Sequence, residues 1–152
     1  MFYSKLGGKL NMNLGNIINI LFEHMELNNL VDNSDVDNII KQFPESIYYG
    51  EMYRCMNIVG DIQVTDLWQS WSSSKDSACM VCDNLRSGIQ KGSKRVVLKQ
   101  NSIGVDLIKL LRLIKQMNIS EEQKKKVCRL LRSYRYEKEI LARINYTYEI
   151  VE

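Results

Sequence analysis

The segment LWQSWSSS, residues 67–74, decides the fold together with KDSACMVCD, which follows it at residues 75–83. Two tryptophans among polar residues predict a strand over Leu67–Ser73. Ser74 is a good helix N-cap, so we expect a helix from there to about Leu85. A strand that runs directly into a helix indicates that both kinds of element occur in the middle of the chain.

The residues before this segment predict two helices. An apolar stripe with the spacing i, i+3, i+4, i+7, i+8 and i+11 predicts the first helix, and Asn28 is expected to end it. The stripe consists of Leu14, Ile17, Ile18, Leu21, Phe22 and Met25. We place His24, the single histidine, on the polar side of this helix as a surface residue. A second helix is expected to begin near Ser34 and to end at Pro44.

The residues after the helical start predict more strands and two more helices. Strands are expected at Ile47–Met56 and Arg95–Lys99, and two alternating segments close the chain from Glu137 onward. One helix carries Leu107, Leu110, Leu111, Ile114 and Met117. Ser120-Glu121-Glu122-Gln123 is a capping box that opens the other helix. The order of elements is typical of a single α+β domain.

Composition excludes several classes of protein. With 152 residues, 45% of them hydrophobic and 26% charged, the chain is expected to form one globular domain. A net charge of +3 is too small for a dedicated nucleic-acid-binding protein and has the wrong sign for an acidic DNA mimic. Four cysteines without a disulfide-framework spacing predict a reducing compartment. We expect a cytoplasmic protein without a membrane partner, since there is no apolar leader or membrane-spanning run.

Three short motifs carry the side chains that point to chemistry. Arg54 follows Tyr53 near the end of a strand, and an arginine fork can grip a phosphate in two hydrogen bonds, although most arginines only form surface ion pairs. Ser70 and Ser72 share one face of their predicted strand, and Trp71 points the other way. Glu137 and Glu139 are expected to stand side by side on one strand face, where like charges would raise the pKa of one carboxyl.

The order of these motifs resembles the mono-ADP-ribosyltransferases of the arginine–serine–glutamate class, in their compact phage and toxin form. The resemblance extends from about Ile47 to Glu152. It implies an ADP-ribosyltransferase-like fold, with residues 1–44 as helices packed on a split mixed sheet formed by residues 45–152. NAD is then the co-substrate, bound without a metal and outside a Rossmann fold, since no dinucleotide-binding glycine fingerprint is present.

The resemblance also assigns the site residues. Arg54 corresponds to the arginine that holds the NAD diphosphate. Ser70 corresponds to the first hydroxyl residue of the Ser-Thr-Ser motif, and Glu139 to the catalytic glutamate. The family's NAD contacts further include Tyr53, Trp71 and Ser72. Glu137 is the second carboxylate, which draws the proton from the acceptor, and Tyr134 and Tyr136 lie in the turn that meets the target. A glutamate at position 137 favours an arginine acceptor.

The resemblance therefore implies a phage or mobile-element effector that uses NAD to modify a host macromolecule in the host cytoplasm. A protein target is favoured over RNA, and suppression of a host defence such as CRISPR fits this setting. Two alternatives stay open: an inactive protein of the same fold that blocks a partner by contact, and, as the weakest, a nucleic-acid-binding domain. A zinc site made of Cys55, Cys79, Cys82 and Cys128 is less favoured than buried structural cysteines.

Overall fold

Helices and strands are mixed along the chain, so the predicted α+β class is confirmed. The computed structural model describes residues 13–84 and 92–151. In chain order its helices are α1 (Leu14–Leu27), α2 (Asn33–Gln42), α3 (Lys75–Asn84), α4 (Leu107–Lys115) and α5 (Glu121–Tyr134). Its strands are β1 (Ile47–Ile58), β2 (Gln69–Ser72), β3 (Lys94–Asp106), β4 (Glu139–Ala142) and β5 (Glu149–Ile150), and a 3-10 turn at Pro44–Ser46 precedes β1.

Local capping explains where the helices begin and end. The side chain of Asn13 accepts a hydrogen bond from the Asn16 backbone at 2.8 Å and starts α1. Asn28 ends α1 in the left-handed conformation, with φ of 62°. The predicted capping box of α5 is confirmed, because Ser120 and Gln123 exchange side chain to backbone hydrogen bonds of 3.0 and 3.1 Å.

The strands form one sheet that closes on itself, and all its described pairings are antiparallel, so the prediction of a mixed sheet is wrong. β3 pairs with β1 along the whole of β1, and β4 lies between β2 and β3. β1 also touches β2, but through one register pair only, Tyr53 opposite Ser72. The sheet is therefore split between β1 and β2, and the side chains at this split have room around them.

Two apolar clusters cover the two faces of this sheet. The larger cluster joins α1, α2, α4 and α5 to strand residues such as Val105 and Leu141. The smaller one lies within the curved sheet and contains Met52, Trp71, Val96, Leu98, Ile140, Ala142 and Ile144. On β4, neighbouring residues Ile140 and Leu141 belong to different clusters, as strand alternation requires. Along residues 13–84 and 92–151, no helix has the length and apolar content needed to cross a bilayer.

The structure corrects two of the strand predictions. β3 runs from Lys94 to Asp106 rather than over Arg95–Lys99, because pairing with β1 holds its polar second half extended. Glu137 is not in a strand: β4 begins at Glu139, and Lys138 before it is left-handed with φ of 50°. The predicted helix end at Leu85 lies outside the described residues.

Candidate active site

Ser70 and Glu139 form the centre of the site. They lie on the adjacent strands β2 and β4, and the Ser70 hydroxyl donates to Glu139 Oε2 at 2.6 Å. Glu139 is only 6% exposed. A carboxylate taken out of water needs such donors, and a hydroxyl bonded to it fixes its rotamer.

Arg54 reaches the same place from β1 across the split in the sheet. Its Nη1 donates to the backbone carbonyl of Ser70 at 2.5 Å, while its Nε is buried and has no hydrogen-bond partner among the described residues. Burial lowers the pKa of Arg54, and the nearby Glu139 carboxylate opposes that effect. An unpaired buried N–H on a cation is costly, and an anionic ligand is the kind of partner that would satisfy it.

His24 was predicted to be a surface residue, and this prediction is wrong. Its side chain is 6% exposed, and its Nε2 lies 2.7 Å from Glu139 Oε2 and 3.2 Å from Ser70 Oγ. Its Nδ1 lies 3.0 Å from the backbone carbonyl of Asn29. The sequence did carry a signal: Ile17, Leu21 and His24 have the spacing i, i+4 and i+7 of the buried face of α1.

The bonding of His24 argues against a serine hydrolase. In a Ser-His-acid triad the serine and the acid bind opposite ring nitrogens. Here Ser70 and Glu139 both approach Nε2, and Nδ1 is bonded to a carbonyl. Ser70 is therefore placed to donate to Glu139, and His24 is not placed to activate it as a nucleophile.

The pKa of His24 is raised above its ordinary value. Burial acts to lower it, but the hydrogen bond and charge of Glu139 and the carbonyl of Asn29 outweigh burial. Both ring nitrogens face oxygen acceptors, which suits the doubly protonated imidazolium.

Glu137 lies in the turn before β4, half-buried at the edge of a cavity that Ser70 and Glu139 also line. Burial and the charge of Glu139 raise the pKa of Glu137 to about 6. The two carboxylates thus have different environments although they are two residues apart, as was expected, but a left-handed Lys138 separates them instead of a straight strand.

Ser72, which is predicted to contact NAD, lines the same cavity as Ser70 and Glu139, and its hydroxyl also bonds to the turn before β4. It is 4% exposed, its hydroxyl donates to the Glu137 backbone carbonyl at 2.8 Å, and it accepts from the Ser74 backbone at 3.1 Å. Ser77 adds a bond of 2.9 Å to the Tyr136 carbonyl. These bonds connect the turn that carries Glu137 to the end of β2 and to the start of α3.

Trp71, also predicted to contact NAD, is a lining residue of the cavity, and its side chain is 2% exposed and belongs to the apolar cluster within the sheet. Strand alternation turns it away from Ser70 and Ser72. The indole is therefore a core group, and it does not fill the space beside Glu139.

A cavity of about 770 Å³ connects these groups. Its walls include His24, Tyr53, Arg54, Ser70, Glu137 and Glu139. Tyr134 also lines it and donates to Glu26 at 2.9 Å, and burial together with that bond raises the pKa of Tyr134 to about 12. Tyr136 is 65% exposed in the turn outside the cavity lining, beneath the Arg135 guanidinium at 4.7 Å.

The four cysteines are free thiols. Burial and the neighbouring Cys82 raise the pKa of Cys55 to about 12, which keeps this thiol protonated and unreactive. Within residues 13–84 and 92–151, no three His, Cys, Asp or Glu side chains form a group that could hold a metal ion.

Comparisons with protein-family models, with curated proteins and with solved structures gave no match to this chain.

Proposed function

We propose that the protein is an NAD-dependent mono-ADP-ribosyltransferase with an ADP-ribosyltransferase-like fold. The observation that carries the proposal is the hydrogen bond of 2.6 Å from Ser70 to Glu139, in a cavity that also contains Arg54. Arg54, Ser70 and Glu139 lie on three separate strands, and the family that the sequence resembles has the same residue types in the same order along the chain.

The cavity suits a dinucleotide in size and charge. Sites for small molecules and cofactors commonly measure about 300–1,000 Å³, and this one measures about 770 Å³. Arg54 lines the cavity, and a guanidinium binds phosphate oxygens through charge-assisted bonds. We assign the NAD diphosphate to Arg54, with Tyr53 on the adjoining wall.

Glu139 faces the ribose in this proposal. NAD supplies an ADP-ribosyl group whose bond to nicotinamide breaks with positive charge developing on the ribose. A carboxylate held in a water-poor site stabilises such charge, because it is already oriented before the reaction. Ser70 provides that orientation through its bond to Oε2.

Glu137 serves as the general base for the acceptor. With a pKa of about 6 it is ionised at pH 7 and is a stronger base than an ordinary glutamate. An arginine acceptor is protonated in water and must lose a proton to become a nucleophile. The exposed Tyr136 lies in the turn next to Glu137, and Tyr134 is the last residue of α5, just before that turn; both would meet the target.

We further propose that the target is a host protein and the setting the host cytoplasm, as for a phage or mobile-element effector that suppresses a defence. The small net charge of +3 favours a protein over RNA.

The test uses the pure protein with NAD labelled either in nicotinamide or in the adenylate. We expect nicotinamide release, and transfer of the adenylate label to a component of a bacterial lysate. Glu139→Gln should abolish both signals, and Ser73→Ala, next to the site residues, should retain them. If calorimetry detects no NAD binding and no nicotinamide is released, the proposal is wrong. Capture of a lysate protein without NAD consumption would then favour the contact inhibitor.

A further inference from the structure

We propose that His24 is a positioning residue of this site: as an imidazolium it holds Glu139 by Oε2 and leaves Oε1 directed at the ligand. The kinetic part of this inference rests on the proposed function. The structural part, a charged His24 paired with Glu139, does not.

The bonding partners of His24 require two ring protons. The Asn29 carbonyl at Nδ1 can only accept, and so can the Glu139 carboxylate at Nε2. A neutral imidazole has one N–H and would leave one of these buried contacts without a proton. The left-handed Asn28 turns the chain back over the end of α1 and so brings the Asn29 carbonyl to Nδ1.

The effect on Glu139 is to occupy one of its two oxygens. Oε2 accepts from Ser70 at 2.6 Å and from His24 at 2.7 Å. No donor from the described part of the chain reaches Oε1. Two donors on one oxygen restrict rotation of the carboxyl group, and in this proposal Oε1 is the oxygen left to accept from a ribose hydroxyl.

Charged groups on several elements face His24. Glu139 on β4 favours the imidazolium, and Arg54 on β1 opposes it. The other titratable groups that line the same cavity are Glu26, Tyr53, Cys55, Cys82, Tyr134 and Glu137. Glu137 titrates near pH 6, so a pH effect has to be separated from it.

The first experiment is a nuclear magnetic resonance titration of the imidazole in protein without an affinity tag. His24 is the chain's single histidine, so its ring signals need no assignment. We expect both nitrogens to be protonated at pH 6.5 and the midpoint to lie above that pH. In Glu139→Gln the midpoint should fall below 6.5, while Glu137→Gln should leave it above 6.5. A neutral ring in the wild type, or a midpoint indifferent to Glu139→Gln, overturns the proposal.

The second experiment is kinetic. His24→Gln retains a side-chain N–H but cannot titrate, and His24→Leu has no donor. We expect kcat for nicotinamide release to fall about 10²-fold in His24→Leu and less in His24→Gln, with KM for NAD changed little. The decline of wild-type kcat above the His24 midpoint should be absent in His24→Gln.

A wild-type kcat in His24→Leu contradicts the positioning role of His24. So does a fall of kcat at high pH that persists in His24→Gln. The titration involves no NAD. If the protein has no transferase activity, the proposed function is wrong, but the titration still shows whether His24 is paired with Glu139.

Discussion

Replacing Glu139 by glutamine should reverse the sign with which stability depends on pH near neutrality. In the wild type the pKa of His24 is raised, so the stabilisation is fully present below about pH 6.5 and is lost as pH rises through the folded-state pKa. Without the Glu139 charge, burial is the largest remaining influence and lowers the pKa of His24. The folded variant then releases its proton before the unfolded chain does, and its stability increases with pH up to about 6.5.

The expected change in the free energy of unfolding follows from one titrating proton on His24 and from the burial of the His24–Glu139 pair. A full difference of one bound proton changes the free energy of unfolding by about 1.4 kcal/mol per pH unit, which is the limiting slope of either sign. The side chains of His24 and Glu139 are 6% and 8% exposed, so solvent screens them little. Breaking such a pair on one side costs about 3–5 kcal/mol, and we expect that loss at pH 6.

The assay is urea unfolding at half-unit steps from pH 5.5 to 8.5. Both proteins should carry Glu137→Gln, because Glu137 titrates near pH 6 in the folded state. Groups that titrate alike in the two proteins cancel in the difference between their curves. A wild-type stability that does not fall above pH 6.5, a variant stability that does not rise toward pH 6.5 from below, or a loss under 1 kcal/mol at pH 6 would refute the pairing of His24 with Glu139 as the source of the shift.

Three further substitutions test two residues that hold the strands and the turn of the site in place and the proposed general base. Ser72→Ala removes the donor to the Glu137 carbonyl and the acceptor for the Ser74 N–H, so denaturant unfolding should show a loss of about 1–3 kcal/mol, and Ser73→Ala a smaller one. A Cβ at Gly104 would lie 2.7 Å from the Ile140 side chain and from the Leu141 carbonyl. Gly104→Ala should therefore destabilise by about 1–3 kcal/mol in thermal unfolding, with Ser102→Ala as the control that should not. Glu137→Ala should reduce transfer to protein by about 10²–10⁴ while NAD hydrolysis continues; an equal fall of both activities, measured with the two labels, would contradict its role as general base.

The elements that sequence could predict are those set by neighbouring residues. The stripe from Leu14 to Met25 and the capping box at Ser120 depend on contacts three or four positions apart, and both appear as expected. The convergence of Ser70 and Glu139, which are 69 positions apart, was expected from the resemblance to a family and from the chemistry of the residues. No local pattern contains it.

The features that sequence missed depend on distant partners. The second half of β3 is polar and is extended because β1 lies beside it. Lys138 turns left-handed between Glu137 and Glu139, which no propensity for lysine would suggest. His24 meets Glu139 across 115 positions, and reading it as a surface group overlooked its place in line with Ile17 and Leu21.

Because His24 lies on α1, a version of the protein shortened from the N-terminus would lose part of the site. The resemblance to known transferases starts at about Ile47, which would suggest that the helices before it are dispensable. A shortened chain starting at Pro44 would uncover the apolar side of α4 and α5 and would also remove the His24 imidazole from Glu139. A minimal version that still works must therefore keep the first helix, or supply its imidazole from elsewhere.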